Sequence, residues 1–429
     1  MNEKELRALV HRYLIERTDF LIKKDKMSDD QMRTFIDRAI TDLCYEKEIE
    51  LPTELRMSLI RDIVSAMVSL GPIRSLIEDK DVTEIMINGA NYVYVQRQGV
   101  IERTNVKFNS NQELTHTIQK LLSNSGSNRR VDESSPYVDF SLADGSRVNV
   151  ILPPVSLTGP VMTIRKFASD ITTIDDLLNR QMLNKEMAVL LISAMKAKLN
   201  VVFCGATGTG KTTALNVLSR HIPEKERIIT IEDTPELRLL QEHVVTLQAK
   251  PANIEGKGTI SIRDLFINSL RMRPDRIILG EVRGIEMLDL IQSISSGHAG
   301  SLAIVHAESP EDCFNRMVTM MLMSGIQLGT QEIQKQIARA IDLLAHIELF
   351  PDGVRRITNL TDIRFDKASQ KTVLEDVFFF KQQNILEDGR IVGQWIKNSR
   401  CPSFYKKFAK RFVKLPDGFF SADVISEDS

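Results

Sequence analysis

Residues 205–212 read GATGTGKT, glycines alternating with small residues and ending in lysine and threonine. Gly205, Gly208 and Gly210 let the backbone turn sharply enough for its N–H groups to converge on one anion. Lys211 adds an ammonium that can reach terminal phosphates, and the Thr212 hydroxyl can ligate Mg²⁺. The predicted chemistry is binding of ATP with Mg²⁺. Gly205, Ala206, Thr207, Gly208, Thr209, Gly210, Lys211, Thr212 and Thr213 would form the cradle.

Hydrolysis needs acids beyond this loop. Glu232 closes the apolar run RIITIE, with Asp233 behind it, and Glu281 closes RIILGE. Ligands of an open parallel sheet bind outside the carboxyl ends of its strands, so both glutamates are expected in the nucleotide crevice. One carboxylate would position or deprotonate the attacking water; the other would hold the metal's water shell. Either glutamate alone reads equally well as a helix cap or the partner of a basic neighbour. The shared sheet favours the nucleotide role.

The stretch SSGHAGSLAIVHA carries His298 among glycines and His306 at the end of a strand-like run. A histidine there can sense a γ-phosphate or donate to a developing oxyanion; a satisfied structural histidine is the competing reading for both. Arg147, Arg165 and Lys166 precede the loop in strand-like runs. Guanidinium forks suit phosphate oxygens and can be donated across a domain or subunit boundary. Surface salt bridging competes there, and for Arg238 and Arg283.

The elements that must position these groups are legible in outline. The predicted fold is α/β: a P-loop domain with a mainly parallel sheet, preceded by an α+β domain and a small helical bundle. Residues 1–72 show helical apolar spacing (Leu6, Leu9, Val10, Tyr13, Leu14; then Met32 to Leu43 after Ser28; then Leu55, Leu59, Ile63, Met67), closed by Gly71-Pro72. Residues 73–168 read as strands EIMI and YVYVQ around Asn88-Gly89, then SRVNVILPP and VMTIRKF, with one helix near 111–123. Residues 175–365 alternate helix patterns with strands NVVFC, RIITI, HVVTL, RIIL and LAIVH, the rhythm of a largely parallel sheet. Residues 366–429 form a C-terminal extension with strand signals VLEDVFFF and IVGQWI, then the basic amphipathic stretch SFYKKFAKRFVK.

Fifty-six basic against 57 acidic residues give no global attraction for nucleic acid. Four scattered cysteines make neither a zinc nor a disulfide framework. No run of about 18 apolar residues occurs, and the first residues lack a signal-peptide pattern, so a cytoplasmic location is expected.

The order GATGTGKT, RIITIEDTPEL, LRMRPDRIILGEVRG, GHAGSLAIVHA resembles the secretion and pilus-assembly ATPases of the type II/type IV superfamily, whose segments are termed Walker A, Asp box, Walker B and His box. The likeness covers roughly residues 70–365. SRVNVILPP, TIRKF and NIEGKGTISIRDL look most like the CpaF branch, the motor of tight-adherence (Tad) pili. The resemblance implies a RecA-like ATPase domain in a homohexamer, with ATP held between the N-terminal and RecA-like domains. It implies Glu232 as general base, Glu281 acting through Mg²⁺, His298 and His306 linking nucleotide state to the subunit interface, and Arg147 and Arg165 reaching the phosphates. Its partner would be an inner-membrane platform protein, with peripheral membrane association. Gly280 departs from P-loop ATPases at large, many of which place Asp there. A nucleic-acid translocase on the same core and an ATP-binding scaffold without turnover are the alternatives. Charge balance speaks against the first; intact Lys211, Glu232 and Glu281 speak against the second.

Overall fold

The computed structural model describes residues 13, 29–47, 51, 53, 55–57, 59–60, 71–97, 99–125, 129–142, 144–166, 171–250 and 257–420. The chain divides into two compact units, Met1–Phe167 and Ala168–Ser429. The expected helix at Leu6–Leu14 falls outside the described residues apart from Tyr13, as do Ser28, Ile63 and Met67.

In the first unit, α1 (Asp29–Lys47) buries Ile36, Ala39, Ile40 and Leu43, a helical stripe, against Leu59 and Ile60. After a short turn and α2 (Arg74–Glu78) comes a six-stranded antiparallel sheet. Its strands are β1 (Val82–Asn88), β2 (Val93–Arg97), β3 (Val100–Arg103), β4 (Tyr137–Ser141), β5 (Arg147–Ile151) and β6 (Val161–Arg165), in the order β3-β2-β1-β6-β5-β4. Ile85, Ile87, Val93, Val95, Val148, Val150, Met162 and Ile164 alternate onto one face. There they meet Leu114, Ile118, Leu121 and Leu122 of α3 (Asn111–Asn124). Ser110 caps that helix by accepting from Glu113 N–H at 3.2 Å.

The second unit holds α4 (Ile174–Asn179), α5 (Lys185–Lys196), β7 (Val201–Gly205), α6 (Lys211–Ser219), β8 (Ile228–Glu232), β9 (Val244–Gln248), α7 (Ile262–Ser269), β10 (Arg276–Leu279), α8 (Glu286–Ser295), β11 (Leu302–His306), α9 (Pro310–Met323), α10 (Thr330–Ala340), β12 (Leu343–Leu349), β13 (Arg355–Asp366), β14 (Lys371–Ile385), β15 (Ile391–Lys397) and α11 (Tyr405–Lys410). Nine strands run in the order β15-β14-β13-β12-β7-β11-β10-β8-β9. Those from β12 to β9 are parallel, and β13 to β15 are added antiparallel. Strand β11 separates β7 from β10.

Central strand β7 is buried on both faces, which is why it reads as unbroken apolar sequence. Val201 and Phe203 enter a core with α5 and α6; Val202 and Cys204 enter a second core with α7 to α10. Each fully buried side chain of this size contributes about 1.5–3 kcal/mol. The two cores make the sheet a firm platform for the loops at its ends.

The boundary drawn at 365/366 falls inside β13, so the C-terminal segment continues the same sheet. Phe404 and Phe408 are buried with Phe378 and Phe419. Phe404, Phe408 and Phe412 recur every four residues, but the helix α11 stops at Lys410, ahead of Phe412. Among the described residues, no helix is long and apolar enough to cross a membrane.

Candidate nucleotide site

Parallel pairing places four chemistry-bearing strand ends on one edge of the sheet. His306 lies in register with Gly205 across β11–β7, Leu279 with Ala303 across β10–β11, and Leu279 with Ile231 across β10–β8. Lys211, His306, Glu281 and Glu232 therefore leave their strands on the same side, as the sheet argument requires.

The loop 205–212 passes into α6 through Gly210, whose φ of 95° is open to glycine at no steric cost. No side chain caps α6, so its first N–H groups and the positive end of its dipole face the loop. Lys211 is 6% exposed, and its Nζ donates to the carbonyls of Gly205 at 3.0 Å and Ala206 at 2.7 Å. The Thr209 hydroxyl donates to Ala206 O at 2.9 Å, bracing the same turn.

His306 joins this loop to the β10 acid. Its Nε2 lies 3.1 Å from Glu281 Oε1, and its Nδ1 is 3.5 Å from both Lys211 Nζ and Thr207 Oγ1. A proton on Nε2 serves the carboxylate and leaves Nδ1 as acceptor toward the loop. Arg283 closes the other side of Glu281, Nε to Oε1 at 2.5 Å and Nη2 to Oε2 at 2.6 Å. Burial alone would raise the Glu281 pKa, but the hydrogen bonds from His306 and Arg283 outweigh it and bring it down to about 2. A carboxylate so held stays ionised and aimed; it is suited to orienting a water more than to holding a proton.

This has a measurable sign. Glu281 falls from 4.5 to about 2, and Asp352, whose side chain is 3% exposed and paired with Arg356 at 2.8 Å, falls from 3.8 to about 2. Depressed carboxylates stabilise the fold above their ordinary values, and that contribution is lost as pH falls through the folded values. The urea midpoint should therefore drop between about pH 4.5 and pH 2, and less steeply in Glu281→Gln. An unchanged slope in that variant would contradict the assignment.

Glu232 is differently placed. It is 2% exposed, and its Oε1 accepts from the N–H groups of Glu236 at 2.8 Å and Leu237 at 3.0 Å. Its side chain lies across Gly280, where an added Cβ would stand 2.6 Å from Glu232 Cγ. That contact is the physical reason for glycine in ILGE. The turn held by Glu232 carries Glu236, whose Oε2 accepts from Thr212 Oγ1 at 3.1 Å. Thr212 and Glu236 form an oxygen-only donor pair of the kind Mg²⁺ prefers. Among the described residues no larger His, Cys, Asp and Glu cluster of metal-binding type occurs.

Two groups escaped the sequence reading. Glu236 follows Glu232 by four residues in EDTPEL, and that spacing is the one sequence signal for it. Arg355, at the start of β13, donates from Nε to Gly208 O at 2.9 Å and so grips the loop from a strand far away in sequence. Nothing local to FPDGVRR indicated that contact.

The structure places His298 apart from His306. It follows α8, with its N–H and Nδ1 on Ser293 O at 3.1 and 3.3 Å, before β11 begins. The next residues, Gly300 and Ser301, donate to Asn200 Oδ1, just ahead of β7. His298 thus lies where the parallel strands start, and His306 lies where they end, roughly 16 Å along a five-residue strand. Within this chain it does not join the loop cluster.

In the first unit, Arg147 and Arg165 are direct cross-strand partners on the face opposite the core, with Glu84 opposite Arg165 on its other side. Like charges directly opposed are unfavourable in a bare sheet.

Known proteins resemble the chain over the residues just described. Residues 66–368 match the family described as Type II/IV secretion system protein. A putative conjugal transfer protein of Mycobacterium tuberculosis is 30% identical over 311 residues, 71% of this chain and 87% of that protein. The type IV secretion system protein VirB11 of Bartonella quintana is 27% identical over 352 residues, 72% of this chain and 96% of that protein. Among solved structures, the VirB11 ATPase of the Brucella suis type IV secretion system, in complex with sulphate, shares 28% identity; 69% of this chain and 97% of that chain are covered, at a TM-score of 0.37.

Proposed function

The chain belongs to the type II/IV secretion system protein family, and from that premise we propose that it is an ATPase powering a secretion or pilus apparatus, most specifically a Tad-type pilus motor. The observation that carries the catalytic part is the contact series Lys211–His306–Glu281 at the end of parallel strands.

In this reading the loop amides, the α6 N-terminus and Lys211 bind the β- and γ-phosphates. Thr212 and Glu236 would hold Mg²⁺, which when bound neutralises charge on the phosphate oxygens. Glu281, fixed by Arg283 and His306, orients the water that attacks the γ-phosphorus. The bond to the β,γ-bridging oxygen breaks, ADP leaves with that oxygen, and the water's proton ends on the released phosphate. Phosphoryl transfer with a loose transition state asks mainly for positioning and charge stabilisation, so a weakly basic carboxylate suffices. Glu232 serves by holding the turn that bears Glu236. His306 couples the acid to the loop. Arg147 and Arg165, cross-strand neighbours on one face of their sheet, are proposed as phosphate ligands on the strength of the family resemblance.

A homohexamer working on an inner-membrane platform protein completes the proposal, supported by the family. Purified chain with Mg-ATP should release phosphate and show a hexameric native mass. A strict monomer at micromolar concentration, with no turnover alone or with its platform protein, would overturn it.

A further inference from the structure

The chain is balanced in charge as a whole, but residues 403–418 are not. They carry Lys406, Lys407, Lys410, Arg411 and Lys414 against the single acid Asp417. This segment lies beyond the family match, which ends at residue 368. Its inner face is settled by packing: Phe404 and Phe408 are both 2% exposed, and Lys407 Nζ meets buried Asp342 at 2.6 Å. Lys406, Lys410, Arg411 and Lys414 are exposed, and among the described residues none forms an ion pair with a carboxylate.

Phe412 stands among them at 95% exposure. Its φ of 57° is a conformation bulky residues rarely adopt. The backbone turns there so that the third phenyl ring points away from the core that took the first two.

The location is also definite. Asp342 N–H donates to Asn200 O, immediately before β7, so Lys407 fixes α11 at the edge where the parallel strands begin. The phosphate loop is at the opposite edge. α5 and α6 return to the same starting edge and end there on exposed Lys196 and half-buried Arg220. On the side of this unit remote from the nucleotide loop, where exposed Glu224 and Asp275 also lie ahead of β8 and β10, residues 406–414 form a basic patch with one projecting aromatic ring.

We propose that this surface docks on an anionic lipid bilayer, with Lys406, Lys410, Arg411 and Lys414 on lipid phosphates and the Phe412 ring inserted among the headgroups. Long cationic stems flanking one exposed ring match a fluid array of phosphates. A folded protein partner would ask for a shaped pocket or paired carboxylates opposite. The inference is independent of ATP turnover, since none of these groups belongs to the loop cluster.

The test is co-sedimentation of the full chain with vesicles of phosphatidylcholine alone and of phosphatidylcholine with phosphatidylglycerol. Binding to the anionic vesicles only, weakening with salt, is expected. Changing Lys406, Lys410, Arg411 and Lys414 together to Gln should weaken it by about 10²–10³, at roughly fivefold per cation. Arginine at the three lysine positions should preserve binding, which guards against a folding artefact. Phe412→Ser should weaken binding while leaving the thermal midpoint unchanged or raised. Lys211→Ala should bind vesicles as the parent does, separating this result from the fate of the motor reading. Equal binding to neutral vesicles, no loss in the fourfold variant, or capture by an acidic platform protein with no lipid binding would each overturn the proposal.

Discussion

Lys211→Ala is expected to remove ATP turnover, lowering kcat/KM by about 10³ or more. The ammonium is the one cation seated inside the loop among the described residues, and it is nearly buried. Charge set in a water-poor site acts with far less screening than on a surface. Alanine removes that charge together with the donor that ties the Gly205 and Ala206 carbonyls, so nucleotide affinity should fall as well. Arginine is not expected to rescue, because a planar fork does not fit the space of a compact ammonium. Phosphate release and binding of a fluorescent ATP analogue read the two effects separately. Near-parental turnover would remove the loop from the chemistry.

The second large effect separates the two glutamates. Glu281→Gln should bind ATP with near-parental affinity and turn it over about 10² times more slowly, since an amide orients water without full charge. Glu232→Gln should cost about tenfold or less. A glutamine oxygen can still accept from Glu236 and Leu237 N–H, so the turn survives. The resemblance alone gave the base to Glu232, and this pair of variants decides between the assignments. A loss of 10² or more in Glu232→Gln, with binding intact, would return the base to that residue.

The P-loop and the parallel strands were legible because their signals are local. A glycine-rich turn between an apolar strand and a helix needs no distant partner to be read, and strands buried on both faces show as unbroken apolar runs. The same property hid β12. Its sequence LLAHIEL follows a helix directly, and continuous apolar runs do not distinguish strand from buried helix. Strand β3 was missed for the opposite reason: all four residues are exposed, so no alternation marks it. In the site, Lys211, His306 and Glu281 were named from strand ends. Glu236 and Arg355 were not, because their roles come from hydrogen bonds across the fold. The strand between His298 and His306 was legible too, and it sets the two histidines at opposite ends of the parallel strands.

Gly280 sets a rule of exclusion for this sheet. The space beyond the ends of β8 and β10 admits one carboxylate stem, and Glu232 occupies it from the β8 side. An aspartate at 280, the arrangement of many other P-loop enzymes, would have to evict that stem. The two layouts are alternatives by volume before they are alternatives in chemistry. Moving the acid from one strand to the other therefore requires a reciprocal exchange, glycine for acid at both positions at once, and either half alone leaves a collision or a hole.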